Sequence, residues 1–297
     1  MKRLEGKRAV VTGGGSGIGR ASAIRFAREG ASVLVVGRAG NAEETAEAIR
    51  GEGGVASALI TDASIEENVA AIVSRCVSEF GGMEIFFANI GVTGTNTPLL
   101  EQTVEEWSEV YRINTISCFL AIKYAGRHMT AQGYGSIILT SSAASLRANA
   151  GAISYSASKA AVNNLAQTAA NAFAGTGVRV NAVLPGLVET QLTRKVFEDA
   201  RARGVESKLG HVTPLKRPGR PERLRLPRHS WPATIPLTWT VNCCRSMAAS
   251  AAPIPTAGSR SSTASCPIRT EQERRRGFRT TEGHHRQARG TRRVHRG

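Results

Sequence analysis

The sequence predicts a doubly wound α/β domain, a parallel sheet with helices on both faces. Three observations carry that expectation. Short apolar runs, β-branched in part, alternate with helical stretches from the N-terminus onward. A glycine-rich turn closes the first apolar run and opens the first helix. The alternation then stops after Glu222, where Arg, Ser, Pro, Thr and Ala dominate. Right-handed crossovers between successive parallel strands wind such a sheet in both directions.

The elements follow in order. Arg8–Thr12 is a short apolar run that ends in glycines, and Gly17–Glu29 is helical. Ala31–Val36 has the continuous apolar character of a strand buried on both faces, and Ala42–Gly51 is a helix. Ala56–Thr61, Ile65–Phe80 and Ile85–Ala88 repeat the strand, helix, strand order. A helix, continuous or broken early, is expected over about Val104–Gln132, followed by a strand at Gly135–Thr140. A helix carrying Tyr155 runs to about Gly175, and Val178–Leu184 is the last clear strand. Gln191–Pro214 mixes Leu192, Val196, Phe197 and Leu209 with charges and is expected to form a lid over the substrate. No internal repeat is visible.

Charge divides the chain at the same place. The 297 residues carry a net +16, but residues 1–222 hold 24 Lys/Arg against 20 Asp/Glu, or +4. Residues 223–297 hold 15 Arg against 3 Glu, or +12. The body therefore has the balance of an ordinary soluble domain, and the basic character belongs to the tail. Two domains are expected: 1–222 as a folded dinucleotide-binding and catalytic unit, and 223–297 as a disordered basic tail in which six prolines interrupt Pro227–Pro267. A basic run without interleaved aromatics is poor support for specific nucleic-acid binding. The cysteines show neither a disulfide framework nor metal-ligand spacing, so no metal is expected. No apolar run approaches the ~20 residues of a membrane span, and Met1-Lys2-Arg3 leads straight into a strand. No membrane partner is expected, and the cytoplasm is the expected location.

Thr12-Gly13-Gly14-Gly15-Ser16-Gly17-Ile18-Gly19 is the turn between first strand and first helix. Glycine lets a pyrophosphate approach the main chain, and the helix N-terminus offers free N–H groups and a positive dipole end. Gly13, Ser16, Gly17, Ile18 and Gly19 are therefore candidate cofactor contacts. The adenosine ribose of a dinucleotide lands at the end of the second strand, where an acidic side chain would accept from the 2′-hydroxyl. This chain has Gly37-Arg38 there. A guanidinium makes charge-assisted bonds to a 2′-phosphate, so NADP(H) is favoured over NAD(H).

Downstream, Tyr155 and Lys159 are four residues apart on a helix and share a face. Ser142 lies 13 residues before Tyr155, at a strand's carboxyl end. An isolated phenol titrates near ~10, and a neighbouring ammonium would bring it toward working pH. Taken in order, the glycine turn, the serine and the Tyr-x-x-x-Lys pair resemble the short-chain dehydrogenase/reductase family, over about Arg3 to Glu222. The resemblance implies a Rossmann sheet and an oxidoreductase that moves a hydride between NADP(H) and a small-molecule alcohol/carbonyl pair. It implies Tyr155 as acid/base, Ser142 as partner of the substrate oxygen, Lys159 as pKa modulator and ribose clamp, and Asn114 as holder of a proton-relaying water. It also implies that Asp62 contacts the adenine and that Asn89 braces the sheet. In Pro185-Gly186-Leu187-Val188-Glu189-Thr190, the backbone at Val188 and the Thr190 side chain would meet the nicotinamide carboxamide. No G-x-S-x-G elbow surrounds Ser142, so an acyl-transfer role is weak.

The resemblance ends abruptly. Family members continue with a helix ending near Phe-Leu-Ala-Ser-Asp and a strand near Val-Asp-Gly-Gly, and this chain has neither as written. Reading the tail one base out of register restores them. Trp231-Pro232 must then give Ala, Trp239-Thr240 Asp, Cys243-Cys244 Leu and Met247-Ala248 Gly. With permitted choices elsewhere, His229–Thr234 spells Phe-Leu-Ala-Ser-Asp. The expectation is an out-of-frame translation from about Arg223. It leaves the last strand and helix of the family missing and Val178–Leu184 as a sheet edge. It also alters a region that in family members often makes the homo-oligomer interface. An alternative reading follows, a frame-damaged relic that binds cofactor with little or no turnover.

Overall fold

In the computed structural model, residues 2–211 and 216–223 are described. The strands are β1 Arg8–Thr12, β2 Ser32–Gly37, β3 Val55–Ile60, β4 Ile85–Ala88, β5 Gly135–Thr140 and β6 Val178–Val183. The helices are α1 Gly17–Arg28, α2 Asn41–Gly51, α3 Glu66–Phe80, α4 Val104–Tyr111, α5 Ser117–Gln132, α6 Ile153–Ala172 and α7 Arg194–Ala202. All strand pairs are parallel, in the order β3-β2-β1-β4-β5-β6. Strand order reverses between β1 and β4, which opens a crevice at their carboxyl ends. The doubly wound Rossmann architecture is as expected.

Alternation along each strand divides the core into two layers. Val10, Leu34, Phe86, Ile137 and Val180 pack with Ile72, Cys76, Ala121, Ala125, Val162 and Ala166, on the face covered by α3, α5 and α6. Ala9, Val11, Val33, Val35, Phe87 and Ile138 pack with Ala23, Phe26, Ala46 and Ile49, on the face of α1 and α2. Register keeps each layer continuous: Val10 pairs with both Leu34 and Phe86, and Phe86 with Ile137. Each fully buried Leu, Ile or Phe contributes roughly 1.5–3 kcal/mol. At the amino ends, buried Glu84 takes the Arg8 backbone N–H at 2.7 Å and Arg8 Nε at 2.9 Å, with Nη2 on its other oxygen.

Strand and helix limits differ from expectation by a residue or so at most ends, and two differences bear on the site. The helix expected over Val104–Gln132, continuous or broken early, is interrupted by a π-helical stretch at Arg112–Ile116. A widened turn of this kind changes the facing of the residues after it, and Asn114 in its middle is fully buried. The segment expected as a lid contains α7, whose Phe197 and Ala200 are buried, so the periodic charges there mark an amphipathic helix. Among the described residues β6 is an edge of the sheet. The predicted tail domain lies, apart from Arg223, outside the described residues. No helix among the described residues is long and apolar enough to cross a membrane. Nor does any group of three or more His, Cys, Asp and Glu among them gather as a metal site.

Candidate active site

Ser142 follows β5 in extended conformation and caps a short 3₁₀ turn, accepting from the Ala144 N–H at 3.1 Å. The turn is tied down from two sides. Asn163 on α6 donates to Ser145 Oγ at 2.7 Å, and the Ala143 N–H donates to the Pro185 carbonyl at 2.9 Å. Tyr155 and Lys159 rise from the first two turns of α6. The Ser142 side chain stands near enough to the Tyr155 phenol to favour its ionised form. Lys159 is buried, donates from Nζ to the Thr140 carbonyl at 2.8 Å, and lies 5.9 Å from the Tyr155 ring centre. Ser141 Oγ donates to the Lys159 carbonyl at 2.8 Å, locking helix to strand end. The three residues that sequence spacing linked are one cluster.

Electrostatics depart from expectation. Burial pushes the Tyr155 phenol above its ordinary range, opposed only by the nearby Ser142 hydroxyl. Burial likewise pushes Lys159 below its ordinary value. Desolvation governs both groups, and the expected pull of the ammonium is not among the causes of the phenol's shift.

Asn114 approaches from the π-helical stretch. Its Oδ1 accepts from the Val92 N–H at 2.8 Å, and its Nδ2 donates to the Val92 carbonyl at 3.0 Å and to Ser158 Oγ at 3.0 Å. The side chain therefore clamps the loop after β4. Its own carbonyl accepts from Cys118 Sγ at 3.3 Å. Ser158, which sequence reading passed over, donates to the Tyr155 carbonyl at 2.7 Å and so joins Asn114 to the helix of Tyr155. Its signal is the Ser-Tyr-Ser-x-Ser-Lys run, a row of small polar residues where a helix enters a polar crevice.

The glycine turn fits a pyrophosphate. Gly13 and Gly17 have φ of +64° and +51°, and a Cβ on Gly19 would collide with the Gly13 carbonyl. Ser16 caps α1 without a side-chain bond, and no acidic residue occupies the first turn, so the helix N–H groups face an anion site unopposed. Ile18 packs against the α1–α2 core layer beneath the turn. Asn89 ties β1 to β5 at this end: its N–H donates to Thr12 Oγ1 at 3.0 Å, and its Oδ1 accepts from Thr140 at 3.1 Å.

Thr190 lies against Gly17, 3.1 Å from where a Cβ would stand, so the Pro185–Thr190 segment closes over the turn. The Val188 carbonyl accepts from Thr193 Oγ1 at 2.6 Å. Val188 also bridges in parallel to Gly219 through the Leu187 carbonyl and the Glu189 N–H. The Val188 N–H then faces away from that bridge. At the other end of the crevice, exposed Arg38 follows β2 and Asp62 follows β3. Burial opposes ionisation of Asp62. Two bonds from Ser64 and the nearby Arg38 and Arg112 guanidinium groups outweigh it and hold the carboxyl below its ordinary value. A shallow groove of about 470 Å³ along α4, lined by Gln102, Val104, Trp107 and Tyr111 among others, contains none of the predicted site residues.

The family model for short chain dehydrogenases matches residues 7–201. The chain is 39% identical over 216 residues to cis-4-hydroxycyclohexanecarboxylate dehydrogenase of Sinomonas cyclohexanicum, covering 73% of this chain and 85% of that protein. It is 39% identical over 225 residues to 7alpha-hydroxysteroid dehydrogenase of Clostridium sardiniense, covering 75% and 84%. Among solved structures it resembles one from Beutenbergia cavernae, assigned as an NAD(P)-dependent gluconate 5-dehydrogenase, with NADP bound at low occupancy. That likeness has a TM-score of 0.66 and 34% identity, and covers 74% of this chain and 86% of that one.

Proposed function

The chain belongs to the short-chain dehydrogenase/reductase family of NAD(P)-dependent oxidoreductases, and from that premise we propose that it interconverts a small-molecule alcohol and its carbonyl compound with NADP(H) in the cytoplasm. The observation that carries this reading is the Ser142–Tyr155–Lys159 cluster, standing at the carboxyl ends of the strands beside a glycine turn shaped for a pyrophosphate. When bound, the nicotinamide supplies or accepts the hydride. In the reducing direction the Tyr155 phenol gives its proton to the carbonyl oxygen as the new C–H bond forms. The Ser142 hydroxyl holds that oxygen. Lys159 steadies the phenolate left behind and clamps the ribose, and Asn114 supports the water chain that returns the proton.

Cofactor binding is assigned to Gly13, Ser16, Gly17, Ile18 and Gly19 for the pyrophosphate. Arg38 and Asp62 take the adenosine end, Asn89 braces the crevice, and Lys159, Val188 and Thr190 hold the nicotinamide end. Arg38 supports NADP(H), because a guanidinium pairs with a 2′-phosphate and no carboxylate stands at that position. The named activities of the two dehydrogenase relatives make cyclic ketones and their secondary alcohols the first substrates to offer. The test is oxidation of NADPH and of NADH by the purified 297-residue chain across a panel that includes cyclohexanone carboxylates and steroid ketones. Turnover with a preference for NADPH is the expected result. Equal or greater turnover with NADH overturns the cofactor assignment.

The adjacent-frame residues favour a second reading, in which the chain from about Arg223 is out of frame and the protein binds NADPH with little or no turnover. Tight NADPH binding without reduction of any carbonyl on that panel supports it. Sequencing the coding DNA across codons 215–250 separates a real altered tail from a misread base.

A further inference from the structure

Beyond the residues already given roles, we infer that Arg112 is a positioning residue for the adenine of the cofactor, acting through Ser64 on Asp62; the inference rests on the dinucleotide reading of the crevice. Arg112 opens the π-helical stretch, two residues before Asn114. Its Nε and Nη2 each donate to a Glu109 carboxylate oxygen at 2.7 Å, which leaves the guanidinium plane little freedom. From that fixed fork, Nη1 donates to Ser64 Oγ at 2.6 Å.

Direction follows from the donor inventory. A guanidinium only donates, so the Ser64 oxygen must accept and its own proton is sent onward. It goes to Asp62 Oδ1 at 2.6 Å, where the Ser64 backbone N–H also donates at 2.9 Å. Ser64 is buried, so water does not compete for the relay. Asp62 Oδ1 is thus satisfied twice from within the protein, and its second oxygen, Oδ2, has no partner among the described residues. The Asp62 carbonyl is held in turn by Asn68 Nδ2 at 3.0 Å. The result is a carboxylate of fixed orientation that presents one acceptor at the end of β3, beside Arg38. An adenine amino group is a donor of the matching kind. A base bearing a carbonyl at that position is not.

Arg112 does more than add charge. Lysine at this position would keep the cation, but a single ammonium cannot grip Glu109 with two parallel bonds while aiming a third at Ser64. The same side chain joins the loop after β3 to the backbone stretch that carries Asn114, so the adenosine end and the proton-transfer end share one support.

The experiment measures binding of NADPH and of its hypoxanthine analogue to the full chain by fluorescence titration, with Arg112→Met, Arg112→Lys and Ser64→Ala beside the unmodified protein. Nicotinamide mononucleotide, which lacks the adenosine half, is titrated alongside. The unmodified chain should prefer the adenine form. Both R112M and S64A should bind NADPH about tenfold more weakly, the loss of one charge-assisted bond. They should lose the preference over hypoxanthine and leave mononucleotide affinity unchanged, with R112K behaving like R112M. Retention of the adenine preference by R112M and S64A overturns the positioning role, as does an equal loss for the mononucleotide. Failure of the unmodified chain to bind either dinucleotide overturns the cofactor reading, and this role with it.

Discussion

Tyr155 is the residue on which the proposed chemistry turns, and its surroundings set a pH signature. Burial raises its phenol above the ordinary range, so the protonated acid persists at neutral pH. Carbonyl reduction uses that acid and should fall as pH rises through the raised value. Alcohol oxidation uses the phenolate and should rise over the same alkaline range. Tyr155→Phe removes the transferable proton while keeping the ring. Turnover should fall by at least ~10²–10⁴-fold with NADPH affinity within about twofold, since general acid–base catalysis carries that much. Steady-state rates against pH in both directions, with a parallel binding titration, check the profile and the split. A variant that keeps its turnover removes Tyr155 from the acid/base role.

Among the elements, the amino ends of β1 and β4 are joined by a device far from the crevice. Glu84 is buried, and burial opposes its ionisation. The bidentate pairing with Arg8, aided by the Arg8 N–H, outweighs that and holds its carboxyl below the ordinary value. Tyr134 adds a bond at 3.3 Å. Truncation of Glu84 leaves the Arg8 N–H, Nε and Nη2 without an acceptor, with only Nη1 still held by the Gly81 carbonyl at 3.0 Å, so Glu84→Ala should cost about 3 kcal/mol. Urea denaturation of the two proteins measures it, and a difference under about 0.5 kcal/mol would show that water replaces the carboxylate at no cost. The π-helical stretch is the other decisive element. It turns Asn114 onto Val92 and Ser158, so a helix boundary is also a site boundary.

For the whole molecule, the β1–β4 reversal collects residues from distant parts of the chain at one edge of the sheet. Everything the proposed reaction uses lies before residue 223. The body carries +4 and the tail +12, so a chain ended after Glu222 should lose most of its attraction for polyanions. On a heparin column at low salt the full chain should be retained and the shortened one should pass through. Retention of both at equal salt would locate a basic surface on the folded body instead.

Much of this was legible in the residues. The strand–helix alternation, the glycine turn, Arg38 after the second strand and the spacing of Ser142, Tyr155 and Lys159 are local patterns, set by backbone sterics and by periodicities of 2 and 3.6 residues. Local patterns survive in a linear reading, and they determined the fold class and pointed to the groups proposed to react. A break early in the Val104–Gln132 helix was legible; its π-helical form and the facing of Asn114 were not, because the bonds that accompany the stretch reach across 22 and 44 residues, to Val92 and Ser158. Nor was α7, whose charges masked its buried Phe197. The sign of the Tyr155 shift and the relay from Arg112 through Ser64 to Asp62 belong to the tertiary structure alone. Desolvation and hydrogen-bond direction depend on which side chains the packed sheet brings together, and separation along the chain does not record that.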